Sequence, residues 1–313
     1  MRVVFMGTPE FAVPTLEALL EVHEVVGVFT QPDKPKGRGK AMAFPPVKEK
    51  ALEHNIPVYQ PVKIREEAVV EEIRKMEPEA IVVVAFGQIL PESILNIPKY
   101  GCINVHASLL PKYRGAAPMQ WSIIDGEKET GVTTMYMAKG LDTGDMILKE
   151  VVKMDPKETG ETLHDKLSVL GGPLILETLR QLEAGTAPRT PQDDAKSCYA
   201  SMLTKELGSI DWNKDAASIE RLIRGLNSWP SAYTVWNGKT MKIWDSDVVP
   251  YEGNEENGTV VAKDKRSFTV KCGENALQIL ELQLQGKKRM NTQAFLVGNQ
   301  MEIGMRLGED AAE

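Results

Sequence analysis

Residues 80–86 read AIVVVAF, an apolar run with no polar interruption. A strand that is apolar on both faces has no side to offer water, so it is expected inside a parallel sheet covered by helices. The flanks agree. Glu66–Met76 carries a helical apolar period before it, and Gly101–His106 (GCINVH) is another short strand pattern after it. Upstream, Arg2–Met6 reads as a strand broken by Gly7; Thr8 can cap a helix there and Pro9 suits its first turn. Phe11, Leu16, Leu19 and Leu20 mark that helix's apolar face. Glu24–Thr30 follows as a strand, Pro46–Asn55 as a helix and Val58–Tyr59 as a short strand. Downstream, Pro118–Asp125 reads as a helix, Gly131–Met137 and Met146–Met154 as strands joined by a turn, and Thr162–Glu183 as one long helix. The alternation predicts an α/β fold, a Rossmann-like doubly wound, mostly parallel sheet over residues 1–189.

The pattern then changes. Gly185–Tyr199 (GTAPRTPQDDAKSCY) has no apolar period, which predicts a linker, drawn at residues 190–205. Beyond one helix near Ala216–Leu226, the segments Met241–Val249, Gly258–Ala262, Ser267–Cys272 and Ala276–Leu284 carry strand patterns with hairpin signals between them. Residues 206–313 are therefore expected to form a small, OB-like β-barrel domain.

The chain has 313 residues, 42% hydrophobic and 26% charged, the composition of a globular protein with ample core. A formal net charge of −7 argues against nucleic-acid binding over the whole surface, but not against a local basic patch. Cys102, Cys198 and Cys272 lie far apart, with no CxxC or Cys/His ligand spacing, so neither a disulfide framework nor a bound metal is expected. The sequence shows no signal-peptide pattern and no transmembrane-length apolar run, so a cytoplasmic, reduced protein without membrane contact is expected.

Chemistry concentrates in a few segments. Side chains alternate along a strand, so Asn104 and His106 point the same way at the carboxyl end of Gly101–His106. Strand ends of this kind face the ligand crevice of an α/β sheet. An amide donor beside an imidazole suits a developing oxyanion, although a histidine there could equally be a satisfied core residue. Gly140–Asp145 (GLDTGD) packs two glycines and two carboxylates into a tight turn, either a solvated connection or a carboxylate that orients His106. Ser108, Leu109, Leu110 and Pro111 leave the Asn104 strand as an apolar loop, a wall for a flat ligand or simply core; Phe86, Gly87, Gln88, Ile89 and Leu90 leave the neighbouring strand alike. Gly7-Thr8-Pro9 lacks the spacing of a dinucleotide fingerprint. Gln31–Lys40 (QPDKPKGRGK) sets Lys34, Lys36, Arg38 and Lys40 against the single acid Asp33, a local basic finger suited to phosphates or a merely solvated loop. Lys287, Lys288 and Arg289 form a second basic cluster. Trp212, Trp229, Trp236 and Trp244 read as core, and His23, His54 and His164 as surface positions.

Taken in order, NVHASLLPKYRGAAP (Asn104–Pro118), ETGVT (Glu129–Thr133) and GLDTGD (Gly140–Asp145) resemble the folate-dependent formyltransferases. Ala107 stands where many relatives have glycine. The resemblance covers nearly the whole chain. It implies transfer of a formyl group from 10-formyltetrahydrofolate to an amine, with Asn104, His106 and Asp142 as the catalytic set and no metal. By the same resemblance the pterin would lie against Phe86–Leu90 and Gly140–Asp142, with Ser108–Pro111 lining the loop. Length, the β-rich second half and the basic finger resemble the members that act on initiator methionyl-tRNA. For those, Lys34, Lys36, Arg38, Lys40, Lys287, Lys288 and Arg289 are the expected tRNA contacts, and a monomer is expected. Members acting on sugar nucleotides, and a catalytically inactive RNA-binding relative, are the competing readings.

Overall fold

The computed structural model describes residues 1–36 and 41–308. In chain order its strands and helices are β1 (Arg2–Gly7), α1 (Val13–Val22), β2 (Glu24–Phe29), β3 (Lys34–Lys36), β4 (Ala41–Ala43), α2 (Pro46–Glu53), β5 (Val58–Tyr59), α3 (Glu67–Lys75), β6 (Ala80–Val84), α4 (Glu92–Leu95) and β7 (Cys102–His106). They continue with β8 (Arg114–Gly115), α5 (Pro118–Ile124), β9 (Glu129–Tyr136), β10 (Met146–Lys153), α6 (Gly160–Ser168), α7 (Gly171–Ala184) and β11 (Tyr199–Ala200). The last group is α8 (Ala216–Gly225), β12 (Ala232–Trp236), β13 (Lys239–Val249), β14 (Val260–Lys263), β15 (Phe268–Lys271), β16 (Ala276–Leu284), β17 (Met290–Asn291) and α9 (Thr292–Gly298).

Two compact units result, and neither is one continuous stretch. The first takes in Met1–Pro118, Glu129–Lys153 and His164–Ala200; the second takes in Met119–Lys128, Met154–Leu163 and Ser201–Glu313. Continuous boundaries at residues 189 and 205 do not describe this interleaving.

In the first unit a seven-stranded sheet has the order β10-β9-β7-β6-β1-β2-β5. Strands β5, β2, β1, β6 and β7 run parallel; β9 and β10 add an antiparallel edge. β6 is buried at every position, as its unbroken apolar run requires. It ends two residues earlier than its apolar pattern because Ala85 turns to a φ of 48°. On one face Val4, Met6, Ile81 and Val83 pack with Val70 and Ile73 of α3. On the other, Gly171 of α7 lies against Val105 and Thr15; a Cβ there would come 2.5 Å from the Thr15 hydroxyl. Pro173 has no N–H to give the Val169 carbonyl and its ring crowds that group, and two glycines precede it, which is why residues 162–183 form two helices rather than the single one their periodicity suggests.

Up to Ala200, the segment read as a linker is part of the first unit; from Ser201 it belongs to the second. Thr190 bridges to Met146, Asp194–Lys196 makes a 3-10 turn, and β11 pairs in parallel with β8. Apolar periodicity is blind to this, because polar side chains and backbone bonds do the fastening.

The second unit holds an antiparallel sheet in the order β12-β13-β16-β15-β14, with β17 beside β16, and fits a small barrel. Ile223 of α8 and Phe295 of α9 join its core with Trp236, Ile243, Phe268 and Leu282. Trp212 and Trp236 are buried as expected; Trp229, at 57% exposure, is not. Among the described residues no helix is long and apolar enough to cross a membrane.

Candidate active site

The sheet's topology puts a switch point between β1 and β6, because the chain winds from β1 toward β5 and then returns to the other side. Carboxyl ends of strands meet there, where α/β sheets open their crevice. The Thr8 hydroxyl after β1 and the Gln31 amide after β2 both donate to the Phe86 carbonyl after β6, at 3.1 Å each. These bonds tie the three strand ends together.

β7 lies beside β6 and carries Cys102, Asn104 and His106 on one face. Cys102 packs in the apolar core, and burial pushes its thiol up to about 12. Asn104 is half-buried and His106 only 6% exposed, so the same face turns polar toward its carboxyl end. The loop after β10's partner strand β9 brings Asp142 to them. The Asn104 carboxamide donates to Asp142 Oδ1 at 3.3 Å, and Asp142 Oδ2 stands 3.8 Å from His106 Nδ1. The backbone N–H of Gly115 donates to the same Oδ2 at 2.8 Å.

The imidazole is oriented by a group no motif reveals. His106 Nε2 lies 2.9 Å from the Tyr113 carbonyl oxygen, which can only accept. Nε2 therefore carries a hydrogen in either charge state of the ring, by assignment from the bonding partner. Nδ1, facing Asp142 beyond hydrogen-bond reach, is the position that gains or loses a proton. The Tyr113 carbonyl thus fixes the ring at Nε2, while Asp142, the carboxylate expected to orient it, stands 3.8 Å from Nδ1. Carboxamide, imidazole and carboxylate remain grouped around one spot.

Asp142 itself has a φ of 51°, in the left-handed region that aspartate tolerates better than most residues. Gly144 lets the turn close, since a Cβ there would fall 1.7 Å from the Tyr136 carbonyl oxygen. Asp145, the other carboxylate of the turn, accepts from Arg189 Nε at 2.7 Å and serves as an anchor. Gln192 donates to the carbonyls of Asp142 and Gly144, both at 2.8 Å.

The residues expected to hold a flat ligand divide in two. Phe86, Leu90 and Leu110 are core side chains, so any contact from them must come through backbone. Ser108 is buried and donates to the Lys112 carbonyl, while Leu110 N–H donates to Thr133 Oγ1, which fixes the Ser108–Pro111 loop. Gln88 is spent on Ile64 N–H and the Pro61 carbonyl. Ile89 and Leu141, at 77% and 51% exposure, are open, and Gly87 has a φ of 86° that a side chain would resist. Leu109 and Gly140 are half-buried and exposed respectively, and Gly140 sits under the Thr143 hydroxyl.

Of the basic residues, Lys34 is exposed on β3, and Arg38 and Lys40 lie outside the described residues, as does the side chain of Lys36. Asp33 is taken by Lys48 Nζ at 2.7 Å and by the Gln60 amide at 2.7 Å, so it is already neutralised from outside the finger. Lys287 and Lys288 are exposed; Arg289 pairs with Glu281 and lies 4.7 Å above the Trp244 ring, which Lys242 also approaches. His54 is exposed, while His23 and His164 are half-buried, His164 edge-on to Phe11. Among the described residues no group of three or more His, Cys, Asp or Glu could hold a metal ion.

Comparison with known proteins covers both halves. Residues 1–179 match the formyl transferase family and residues 202–300 its C-terminal domain. A protein of Agathobacter rectalis named methionyl-tRNA formyltransferase is 58% identical, covering 97% of this chain and 98% of its own; one of that name from Lachnospira eligens is 56% identical, covering 99% and 100%. Among solved structures, an N-formyltransferase from Helicobacter canadensis in complex with folinic acid and dTDP-3-aminofucose has a TM-score of 0.67 at 20% identity, covering 93% and 100%, and shares the fold. On these matches, this chain belongs to the formyl transferase family.

Proposed function

We propose that this chain transfers the formyl group of 10-formyltetrahydrofolate to the amino group of initiator methionyl-tRNA, with Asn104, His106 and Asp142 as its catalytic residues. The relatives sharing more than half the sequence along nearly its whole length bear the name of that reaction, whereas the amino-sugar enzyme shares a fifth. The folinic acid in that fold neighbour supports a folate-derived donor. The observation that carries the reading is the convergence of carboxamide, imidazole and carboxylate at the end of β7.

The chemistry follows from those groups. The methionyl nitrogen attacks the formyl carbon, and the carbonyl π electrons move to oxygen. Asn104 Nδ2 donates to the resulting oxyanion, at the expense of its 3.3 Å contact with Asp142. One such donor in a water-poor site is worth about 3 kcal/mol. The attacking nitrogen, now cationic, releases a proton toward His106 Nδ1, the free face of a ring whose other nitrogen is committed to Tyr113. The positive imidazolium then stands 3.8 Å from Asp142, which stabilises it, and its new Nδ1–H can serve the oxyanion. Collapse reforms the carbonyl, breaks the bond to the folate nitrogen and returns the proton to that nitrogen. Ile89 and Leu141 offer apolar surface for the pterin, with Phe86, Gly87, Gln88, Leu90, Ser108, Leu109, Leu110, Pro111 and Gly140 shaping the backbone around it.

The tRNA would be gripped by the basic finger, Lys34, Lys36, Arg38 and Lys40, and by Lys287 and Lys288. Arg289, partly neutralised by Glu281, holds Trp244 as much as it meets phosphate. The test is to incubate the protein with 10-formyltetrahydrofolate and either methionyl-tRNA or a dTDP-amino sugar. Formyl-methionyl-tRNA alone is the expected product. Formylated sugar, with the tRNA unchanged, would overturn the substrate; neither product would favour an inactive RNA-binding relative.

A further inference from the structure

Asp142 sits in a conformation its own sequence does little to enforce. Its φ of 51° lies where a residue with a side chain carries backbone strain, so the turn needs fastening from outside. The fastening comes from the segment that reads as a linker. The Gln192 amide nitrogen has two hydrogens and spends them on the Asp142 and Gly144 carbonyls, 2.8 Å each. Its Oε1 accepts from Arg114 Nε at 3.0 Å, and Arg114 is braced in turn by Asp194 at 2.7 Å. Arg114 immediately precedes Gly115, whose N–H holds the Asp142 carboxylate.

We infer that Gln192, braced by Arg114, is a positioning residue for formyl transfer: it fixes the main chain of Asp142 while Gly115 fixes the side chain. The inference rests on the proposed catalytic role of Asp142. A closed ring of hydrogen bonds runs from the Asp142 carboxylate through Gly115, Arg114 and Gln192 back to the Asp142 carbonyl. It explains why a segment without apolar periodicity is ordered. It also demands this residue type. Glutamate has no hydrogens to give two carbonyls, and asparagine is one methylene short. Pairing of β11 with β8 and the Thr190–Met146 bridge use backbone atoms, so they survive a change of the Gln192 side chain.

The experiment measures kcat and KM for methionyl-tRNA in four proteins: wild type, Gln192→Met, Asp142→Ala and the double variant. Methionine keeps the length and removes both donors. Gln192→Met should lower kcat by about 10- to 100-fold, the scale of a small misplacement of a reacting group, with KM within about twofold. In the Asp142→Ala background the same change should cost nothing further, because its effect runs through Asp142. A wild-type kcat for Gln192→Met, or an equal loss in both backgrounds, would overturn the inference while leaving Asp142's role intact. A wild-type kcat for Asp142→Ala would instead remove the reading beneath it, and the inference with it. If Gln192→Met does not fold, Arg114→Met carries the same test: it leaves Gln192 present but unbraced, and a kcat loss confined to the Asp142 background supports the inference.

Discussion

At the scale of single residues, the division of labour on the His106 ring has consequences. Because Nε2 is tied to the Tyr113 carbonyl, only Nδ1 is available for chemistry, and Asn104 shares Asp142 with it. Asn104→Ala removes the proposed oxyanion donor and should lower kcat by about 10²- to 10³-fold in steady-state formylation, with little change in KM. Thiol reactivity gives an independent check on burial. Desolvation pushes both Cys102 and Cys272 up to about 12, while Cys198 is exposed. Near pH 8 the folded protein should titrate one thiol quickly with a disulfide reagent and all three after denaturation; two fast thiols would contradict the buried placement. Asn104 and His106 were legible because strand alternation fixes which side chains share a face, and the motif order singled out Asp142. Tyr113, Gly115 and their bonds were not, because a backbone carbonyl or N–H leaves no mark on residue identity.

At the scale of elements, the Gly140–Asp145 turn shapes the site. Gly144→Ala would drive a methyl group into the Tyr136 carbonyl, so the Gly140–Asp145 turn must open. The expected result is a protein that folds, since the overpacking costs about 1–3 kcal/mol, but with kcat reduced at least tenfold because Asp142 moves. Thermal melts beside kinetics separate the two effects. Asp33 supplies a pH test. Hydrogen bonding from Gln60, then from Lys48, holds its carboxyl below the ordinary value of 3.8. A depressed folded-state value means that the stabilisation is present above the unfolded pKa and is lost as pH falls through the folded one. Asp33→Asn should therefore lower Tm at pH 7, and the gap from wild type should narrow as pH falls below the ordinary carboxylate value of 3.8. A gap independent of pH would contradict the pairing. The parallel sheet was readable because β6, apolar at every position, leaves no solvent face. The break between α6 and α7 is marked only by Gly171-Gly172-Pro173, which the apolar periodicity runs straight through. The ordered stretch before β11 was hidden for the opposite reason, being held by polar groups that mimic a solvated linker.

At the scale of the whole molecule, the protein carries a net charge of −7 yet is proposed to bind a polyanion, so attraction must be local. Exchanging Lys34, Lys36, Arg38 and Lys40 for glutamine should weaken formylation of methionyl-tRNA and flatten its dependence on salt, each lost phosphate contact reducing the logarithmic slope by about 0.7–0.9. Formylation of a small amine should change little, and equal loss on both substrates would assign the finger another task. Composition and motif order reached the family because chemistry was written in side chains. The interleaving of the two units was not readable, since it depends on which segments pack together rather than on any local pattern. The account as a whole stands on the polar cluster at the end of β7 being where formyl transfer happens. The single-turnover rate of methionyl-tRNA formylation by His106→Ala, at saturating 10-formyltetrahydrofolate, tests this most directly. The rate should fall by about 10²-fold or more, as loss of the proposed general base and charge-stabilising group requires, while tRNA binding stays at the wild-type level; a variant that transfers formyl at the wild-type rate would contradict it.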